Sequence, residues 1–197
     1  MLKIAITGGI ASGKSYVLGQ FRRRGVPCLD ADELAHGVTA AGTEATTAIA
    51  ARFGRDVVAA DGSIDRAKIG PIVFDNPSAR RELEAIVHPA VYRVMTAGLR
   101  AFELIGNYPA AVIDIPLLFE TGHAGDFDRV IVVACELPIQ VARLVARGLT
   151  EAEARQRIDA QWPTDDKVKR ADYVIRTDGS YQSTEEQIEQ VCRAIGI

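Results

Sequence analysis

Gly8-Gly9-Ile10-Ala11-Ser12-Gly13-Lys14-Ser15 is the stretch on which the fold turns. It fits G-x-x-x-x-G-K-[ST], and at average glycine usage of about 7% a chance match in a chain this long is on the order of one in a hundred. The eight residues follow a short apolar run, 2–7, and precede a segment in which Val17, Leu18 and Phe21 make one apolar helical face. A strand before and a helix after are the context in which such a loop binds phosphate. Its glycines let the backbone curl so that successive N–H groups face phosphate oxygens, with the positive end of the helix behind them. Lys14 is then placed to reach the β- and γ-phosphates, and the Ser15 hydroxyl to help hold Mg2+. The bland alternative is an ordinary strand-to-helix turn with an exposed lysine.

Four further apolar runs, 26–29, 110–114, 129–134 and 173–176, repeat the strand signal outward from the loop. Ala111-Val112-Ile113 and Val130-Ile131-Val132-Val133 are apolar at consecutive positions, as expected of parallel strands covered by helices on both faces. The βαβ rhythm predicts an α/β fold, a doubly wound parallel five-stranded sheet. Residues 31–107 hold too much helix for a simple crossover and read as an inserted helical subdomain. Asn76-Pro77 opens one predicted helix, with Ala79, Leu83, Ile86 and Val87 at helical spacing. After His88-Pro89 a second predicted helix places Val91, Val94, Met95, Gly98, Leu99 and Phe102 on one stripe. A smaller helical insertion, 146–168, follows the fourth strand. There, residues 140–147 predict a helix, Gly148 breaks it, and Thr150-Glu151-Ala152-Glu153 starts the next with a capping box. The core is then 1–30, 108–145 and 169–197, ending on a predicted helix over 184–194.

Composition narrows the partners. The net charge is −3 and no basic run exceeds Arg22-Arg23-Arg24, which argues against nucleic acid while leaving room for a local pocket that takes a phosphorylated small molecule. Cys28, Cys135 and Cys192 are scattered, form no C-x-x-C pair and fit small core residues of a reduced, cytoplasmic chain. His36, His88 and His123 are not spaced as metal ligands. The apolar N-terminus enters a glycine-rich turn too soon for a signal-peptide core, and no apolar stretch reaches the ~18 residues that a membrane span needs.

A phosphate loop alone does not separate kinases from GTPases or motor ATPases. No N-K-x-D guanine motif is present, which argues against a GTPase. Asp114 closes the third strand, where an acid either orients Mg2+ through water or caps the strand end. Asp30-Ala31-Asp32-Glu33 follows the second strand at the ligand-binding edge of such a sheet. A carboxylate there either accepts a hydroxyl proton during phosphoryl transfer or caps a helix. His88, before Pro89, either serves a site or ends a helix. Arg143, Arg147, Arg155 and Arg157 either reach phosphate from a lid or line a solvated helix face.

Taken together, these stretches resemble the dephospho-CoA kinase family. The likeness rests on the phosphate loop preceded by Thr7, on Asp30-Ala31-Asp32 with His36, on His88-Pro89, and on Asp114-Ile115-Pro116-Leu117-Leu118-Phe119-Glu120. It continues through Gln140, Arg143-Leu144, Arg147, Arg157-Ile158, Gln161, Lys167 and Ala171-Asp172-Tyr173-Val174-Ile175, so it covers nearly the whole chain. The resemblance implies ATP- and Mg2+-dependent phosphorylation of the ribose 3′-hydroxyl of dephospho-CoA, the last step of coenzyme A synthesis. Catalytic roles would fall to Asp32, as base or hydroxyl-orienting group, to Lys14, and to Arg147 reaching over from a lid formed by 146–168. Gly8, Gly9, Ile10, Ala11, Ser12, Gly13, Lys14, Ser15 and Tyr16 would bind the nucleotide, with Ser15 and Asp114 serving Mg2+. Asp32, His36, His88, Pro89, Leu117 and Glu120 would help form the acceptor site with the 31–107 subdomain, although Pro116-Leu117-Leu118-Phe119 reads as packing, with Glu120 the better functional candidate.

The chain also departs from the family pattern. Ala11 stands at a usual glycine, and the aversion of alanine to positive φ predicts a slightly reshaped loop. Tyr16 replaces a threonine, which predicts loss of a hydroxyl contact to the α-phosphate. Tyr92 stands where arginine is common, Gly148 where an acid is typical, and residues 176–179 lack the usual asparagine. Two other readings compete: a different small-molecule kinase of this fold, and a regulatory protein that uses ATP only as a conformational ligand.

Overall fold

Parallel pairing builds the sheet around the strand that carries the phosphate loop. In the computed structural model, which describes residues 1–74 and 76–197, the strands are β1 (Leu2–Gly8), β2 (Cys28–Asp30), β3 (Ala110–Asp114), β4 (Arg129–Ala134) and β5 (Tyr173–Arg176). Their order is β2-β3-β1-β4-β5, with Leu2 opposite Ala110 on one side of β1 and Ile4 opposite Arg129 on the other. The chain therefore turns in opposite directions from β1, and the loop after it opens at this switch point, where open α/β sheets bind ligands. All of β3 and all but the first residue of β4 are buried, as their consecutive apolar residues require.

Both faces are covered, one by helices and the other largely by the segment after β3. On one, Ile4, Ile6, Val112, Ile131, Val133 and Ile175 pack with Val17, Leu18 and Phe21 of α1 (Lys14–Arg23) and with Ile188 and Val191 of the last helix. On the other, Ala5, Val130, Val132 and Ala134 pack with Leu118 and Phe119. β2 starts two residues later than expected, because Val26 serves the end of α1 instead. Gly25 takes φ 76°, its N–H donates to Arg22 O and that of Val26 to Phe21 O, a Schellman stop.

The chain divides into two compact units, residues 1–29 with 101–197, and residues 30–100. The second holds α2 (Ala31–Val38), α3 (Glu44–Phe53), α4 (Arg66–Phe74) and most of α5 (Pro77–Ile105). Its core gathers Ile49, Val57, Ile64 and Ile69 against Leu83, Ile86 and Val87. The two helices expected on either side of Pro89 are one helix. Proline removes a single backbone bond and costs about 3 kcal/mol inside a helix. Here Pro89 is exposed while Ala79, Ala90, Met95 and Leu99 carry the buried stripe past it. That continuous phase turns Val94, expected inside, outward to 43% exposure.

The first unit also carries α6 (Leu137–Val145), α7 (Glu151–Asp159), α8 (Thr164–Val168) and α9 (Tyr181–Ala194). α6 starts earlier than predicted, with proline in its first turn, and ends before Arg147, which lies in the turn to Gly148 at φ 93°. The capping box of α7 is present as read: Thr150 and Glu153 exchange side chain-to-backbone hydrogen bonds. Ser180 caps α9 one turn ahead of the expected start. No described helix is long and apolar enough to cross a membrane.

Candidate active site

The phosphate loop joins the end of β1 to α1, and close packing explains its glycines. A Cβ on Gly9 would collide with Gln140 Nε2, and Gly13, the N-cap of α1, takes φ 89° with Thr177 immediately behind it. No side chain caps α1, so the Lys14 and Ser15 N–H groups at its head keep their capacity for an anion, while that of Tyr16 donates to Gly13 O. Ala11 adopts φ 59°. The loop thus keeps a left-handed turn that glycine would adopt freely, and the alanine bears the strain.

The loop is fastened at several points. Ile10 is held at both ends, its carbonyl accepting from Gln140 Nε2 at 2.8 Å and its N–H donating to Gln161 Oε1 at 2.8 Å. Ala11 O accepts from the Arg143 guanidinium at 3.0 Å and Ser12 O from the Thr177 hydroxyl at 2.6 Å. Lys14 Nζ contacts both carboxylate oxygens of Asp114. Ser15, the next residue, is exposed at the head of α1. Tyr16 points away from the loop. Its hydroxyl donates to Glu185 Oε1 of α9 at 2.6 Å and its ring packs on Tyr181, with centroids 4.9 Å apart. That hydrogen bond to a carboxylate, with some burial, raises its pKa.

Beside the loop lies an open cleft of about 650 Å3, lined by Gly9, Glu136, Gln140, Gln161, Trp162 and Thr164 among others. Its far wall is tied to the segment after β3 by Glu120. One carboxylate oxygen of Glu120 accepts from the Trp162 N–H at 3.0 Å and pairs with Lys167 Nζ at 2.6 Å, and the Lys167 side chain is fully buried. Burial pushes the Glu120 carboxyl up, but the Lys167 ammonium and the backbone donors outweigh it and hold the carboxyl below its usual range. Trp162 stacks on Phe119, and the Arg170 guanidinium lies 5.1 Å over its ring. Leu117 is exposed on the same segment, and the Thr7 hydroxyl donates to Pro116 O at 3.1 Å.

In the unit of residues 30–100, the choice between cap and functional acid is divided between neighbours. Asp30 is the cap: its Oδ1 accepts from the N–H groups of Asp32 (2.9 Å) and Glu33 (3.2 Å). Asp32 sits in the first turn of α2 with an exposed carboxylate that has no hydrogen-bond or ion-pair partner among the described residues. His36 is exposed one turn further along. His88 and Pro89 are exposed midway along α5, so His88 does not end a helix.

The arginines also divide. Arg143 belongs to the loop's support and Arg155 pairs with Glu151 on the outer surface of α7, whereas Arg147 is exposed and makes no ion pair among the described residues. Burial raises all three thiols, Cys28 to about 11, so none is poised as a nucleophile. Thr177 had no sequence signal of its own. Gln161 and Lys167 stood out only as pattern matches, because their partners lie 151 and 47 residues away.

Residues 2–183 match the family model of dephospho-CoA kinase. The chain is 48% identical over 188 residues to the dephospho-CoA kinase of Geobacillus kaustophilus, covering 95% of this chain and 93% of that one. It is similar in structure to TT1252 from Thermus thermophilus, with a TM-score of 0.83, 35% identity and 98% and 97% of the two chains covered. It is also similar to the dephospho-CoA kinase of Campylobacter jejuni, with a TM-score of 0.74, 26% identity and 98% and 96% covered.

Proposed function

The chain belongs to the dephospho-CoA kinase family, and from that premise we propose that it transfers the γ-phosphoryl group of ATP to the ribose 3′-hydroxyl of dephospho-CoA, giving CoA and ADP. The observation that supports this best is the intact phosphate loop, with Lys14 seated on Asp114, in a chain matched from residue 2 to residue 183. In the transfer, the acceptor oxygen forms a bond to the γ-phosphorus as the bridging P–O bond breaks, the electron pair leaves on ADP, and Asp32 takes the hydroxyl proton.

Each named residue has a place in that step. Gly8, Gly9, Ile10, Ala11, Ser12, Gly13 and the backbone of Tyr16 shape the cradle. Lys14 leaves Asp114 for the β- and γ-phosphate oxygens, and Arg147 comes to the transferring group from the 146–168 lid. Ser15 and Asp114 would hold Mg2+ through hydroxyl and carboxylate oxygens, hard donors that suit this ion. When bound, Mg2+ neutralises charge on the phosphate oxygens. Asp32, His36, His88 and Pro89, with Leu117 and Glu120, serve the acceptor, and 31–107 is its subdomain. The proposed location is the cytoplasm, in keeping with three free thiols.

The test is ADP formation from ATP and Mg2+ with dephospho-CoA, with nucleoside monophosphates, and with no acceptor. Turnover only with dephospho-CoA is expected. Equal turnover with a monophosphate would overturn the acceptor, and nucleotide binding without acceptor-dependent turnover would favour a regulatory protein.

A further inference from the structure

Three consecutive carbonyls of the phosphate loop are held from outside, Ile10 O by Gln140, Ala11 O by Arg143 and Ser12 O by Thr177. In a planar trans peptide the carbonyl and the following N–H point in opposite directions. Holding Ile10 O therefore turns the Ala11 N–H to the other side, and holding Ser12 O does the same for the Gly13 N–H. The middle peptide is closed within the loop, where Ser12 N–H donates to Gly9 O at 3.1 Å. Two of these outer contacts act as one. The Arg143 guanidinium donates to Thr177 Oγ1 at 3.0 Å and to Thr177 O at 2.8 Å, while the Thr177 hydroxyl passes its own proton to Ser12 O. Thr177 is buried at 7% exposure, so this hydroxyl has no water to replace a lost partner.

The guanidinium thus lies on the carbonyl side of the loop, opposite the amide side that faces phosphate. Arg143 is neither of the two things an arginine here suggests, a phosphate ligand or part of a solvated face. We propose that Arg143 and Thr177 form a brace that, by holding Ala11 O and Ser12 O, positions the Gly13 N–H group for the β-phosphate of nucleoside di- and triphosphates, and that Arg143 itself touches no phosphate. The brace also holds Ala11 in its left-handed conformation.

The proposal rests on the nucleotide reading above, so binding of ATP and ADP to the unaltered chain is measured first. Its failure would overturn both readings. Calorimetric titration then compares ATP, ADP and AMP on Arg143→Lys, Thr177→Val, Thr177→Ser and the Arg143→Lys/Thr177→Val double variant, each checked for unchanged thermal unfolding of the bulk fold. Arg143→Lys and Thr177→Val should each weaken ATP and ADP by the same factor, roughly tenfold, and leave AMP within about twofold. The double variant should bind no worse than the weaker single one, because the two residues are one device. Thr177→Ser keeps the hydroxyl and should restore ADP binding. Loss of ATP affinity with ADP unchanged would overturn the proposal in favour of a direct γ-phosphate contact. So would equal losses for AMP, multiplying losses in the double variant, or a serine variant as weak as valine.

Discussion

Lys14 Nζ rests on both carboxylate oxygens of Asp114, joining the head of α1 to the last residue of β3 through side chains only 16% and 4% exposed. The pair links the two positions proposed for phosphate and for Mg2+, and each has its own signature. Lys14→Met should lower kcat by roughly 10²–10³-fold, the scale of losing one donor to transition-state charge. Asp114→Asn should raise the Mg2+ concentration for half-maximal rate by roughly 10–100-fold, as expected for a group that orients a metal through water. An unchanged Mg2+ titration of Asp114→Asn would remove it from the metal site.

The Glu120–Lys167 pair makes a stability prediction with a sign. The Glu120 carboxyl is held below its usual range in the folded chain, so its stabilising contribution is complete above the ordinary carboxylate value near ~4.3 and is lost as pH falls through the lower folded value. Lys167→Met removes the counter-ion and leaves burial to dominate, which should cost about 3 kcal/mol at neutral pH. The carboxyl would then titrate above its ordinary value, so the variant should lose stability as pH rises through that raised value. Urea titrations across the acid range check both; parallel curves for the two proteins would contradict the assignment.

Ala11→Gly should stabilise the chain. Left-handed alanine costs roughly 1–2 kcal/mol, against roughly 0.5–1 kcal/mol for the extra freedom of glycine in the unfolded chain. The midpoint of thermal unfolding should therefore rise by about 2–4 °C. A fall would show that the φ of 59° is not strained at this position.

Asp30→Ala should harm activity more than stability. The lost cap costs about 1 kcal/mol. It also releases the N–H of Asp32, whose carboxylate is the proposed base, so kcat should drop roughly tenfold or more while Asp30→Asn stays near normal. Asp32→Asn itself should lose roughly 10²–10⁴-fold in kcat. Steady-state kinetics that show Asp32→Asn near full rate would reassign the base.

Contiguity decides what is legible in the sequence. The phosphate loop is eight neighbouring residues with a strand before and a helix after, and buried parallel strands such as β3 and β4 announce themselves by unbroken apolar runs. Val26 looked like strand because nothing local shows that a buried valine serves a helix stop. Pro89 looked like a boundary because a proline's local cost is visible, whereas the stripe of Ala79, Ala90, Met95 and Leu99 that offsets it is tertiary. The brace was least legible of all, since Arg143 meets Ala11 across 132 residues and Thr177 meets Ser12 across 165. The acids after β2 were readable as a set, but only the hydrogen bonds separate Asp30, the cap, from Asp32 with its exposed carboxylate.

The most direct test of the central claim is where the phosphate goes. ATP labelled in the γ-position is turned over once with dephospho-CoA, and the product's phosphate is located by phosphorus NMR and by a 3′-specific nucleotidase. The account predicts stoichiometric label on the ribose 3′-oxygen, with ADP as the only other product. Label released as inorganic phosphate, or carried on any other oxygen of the acceptor, would contradict it.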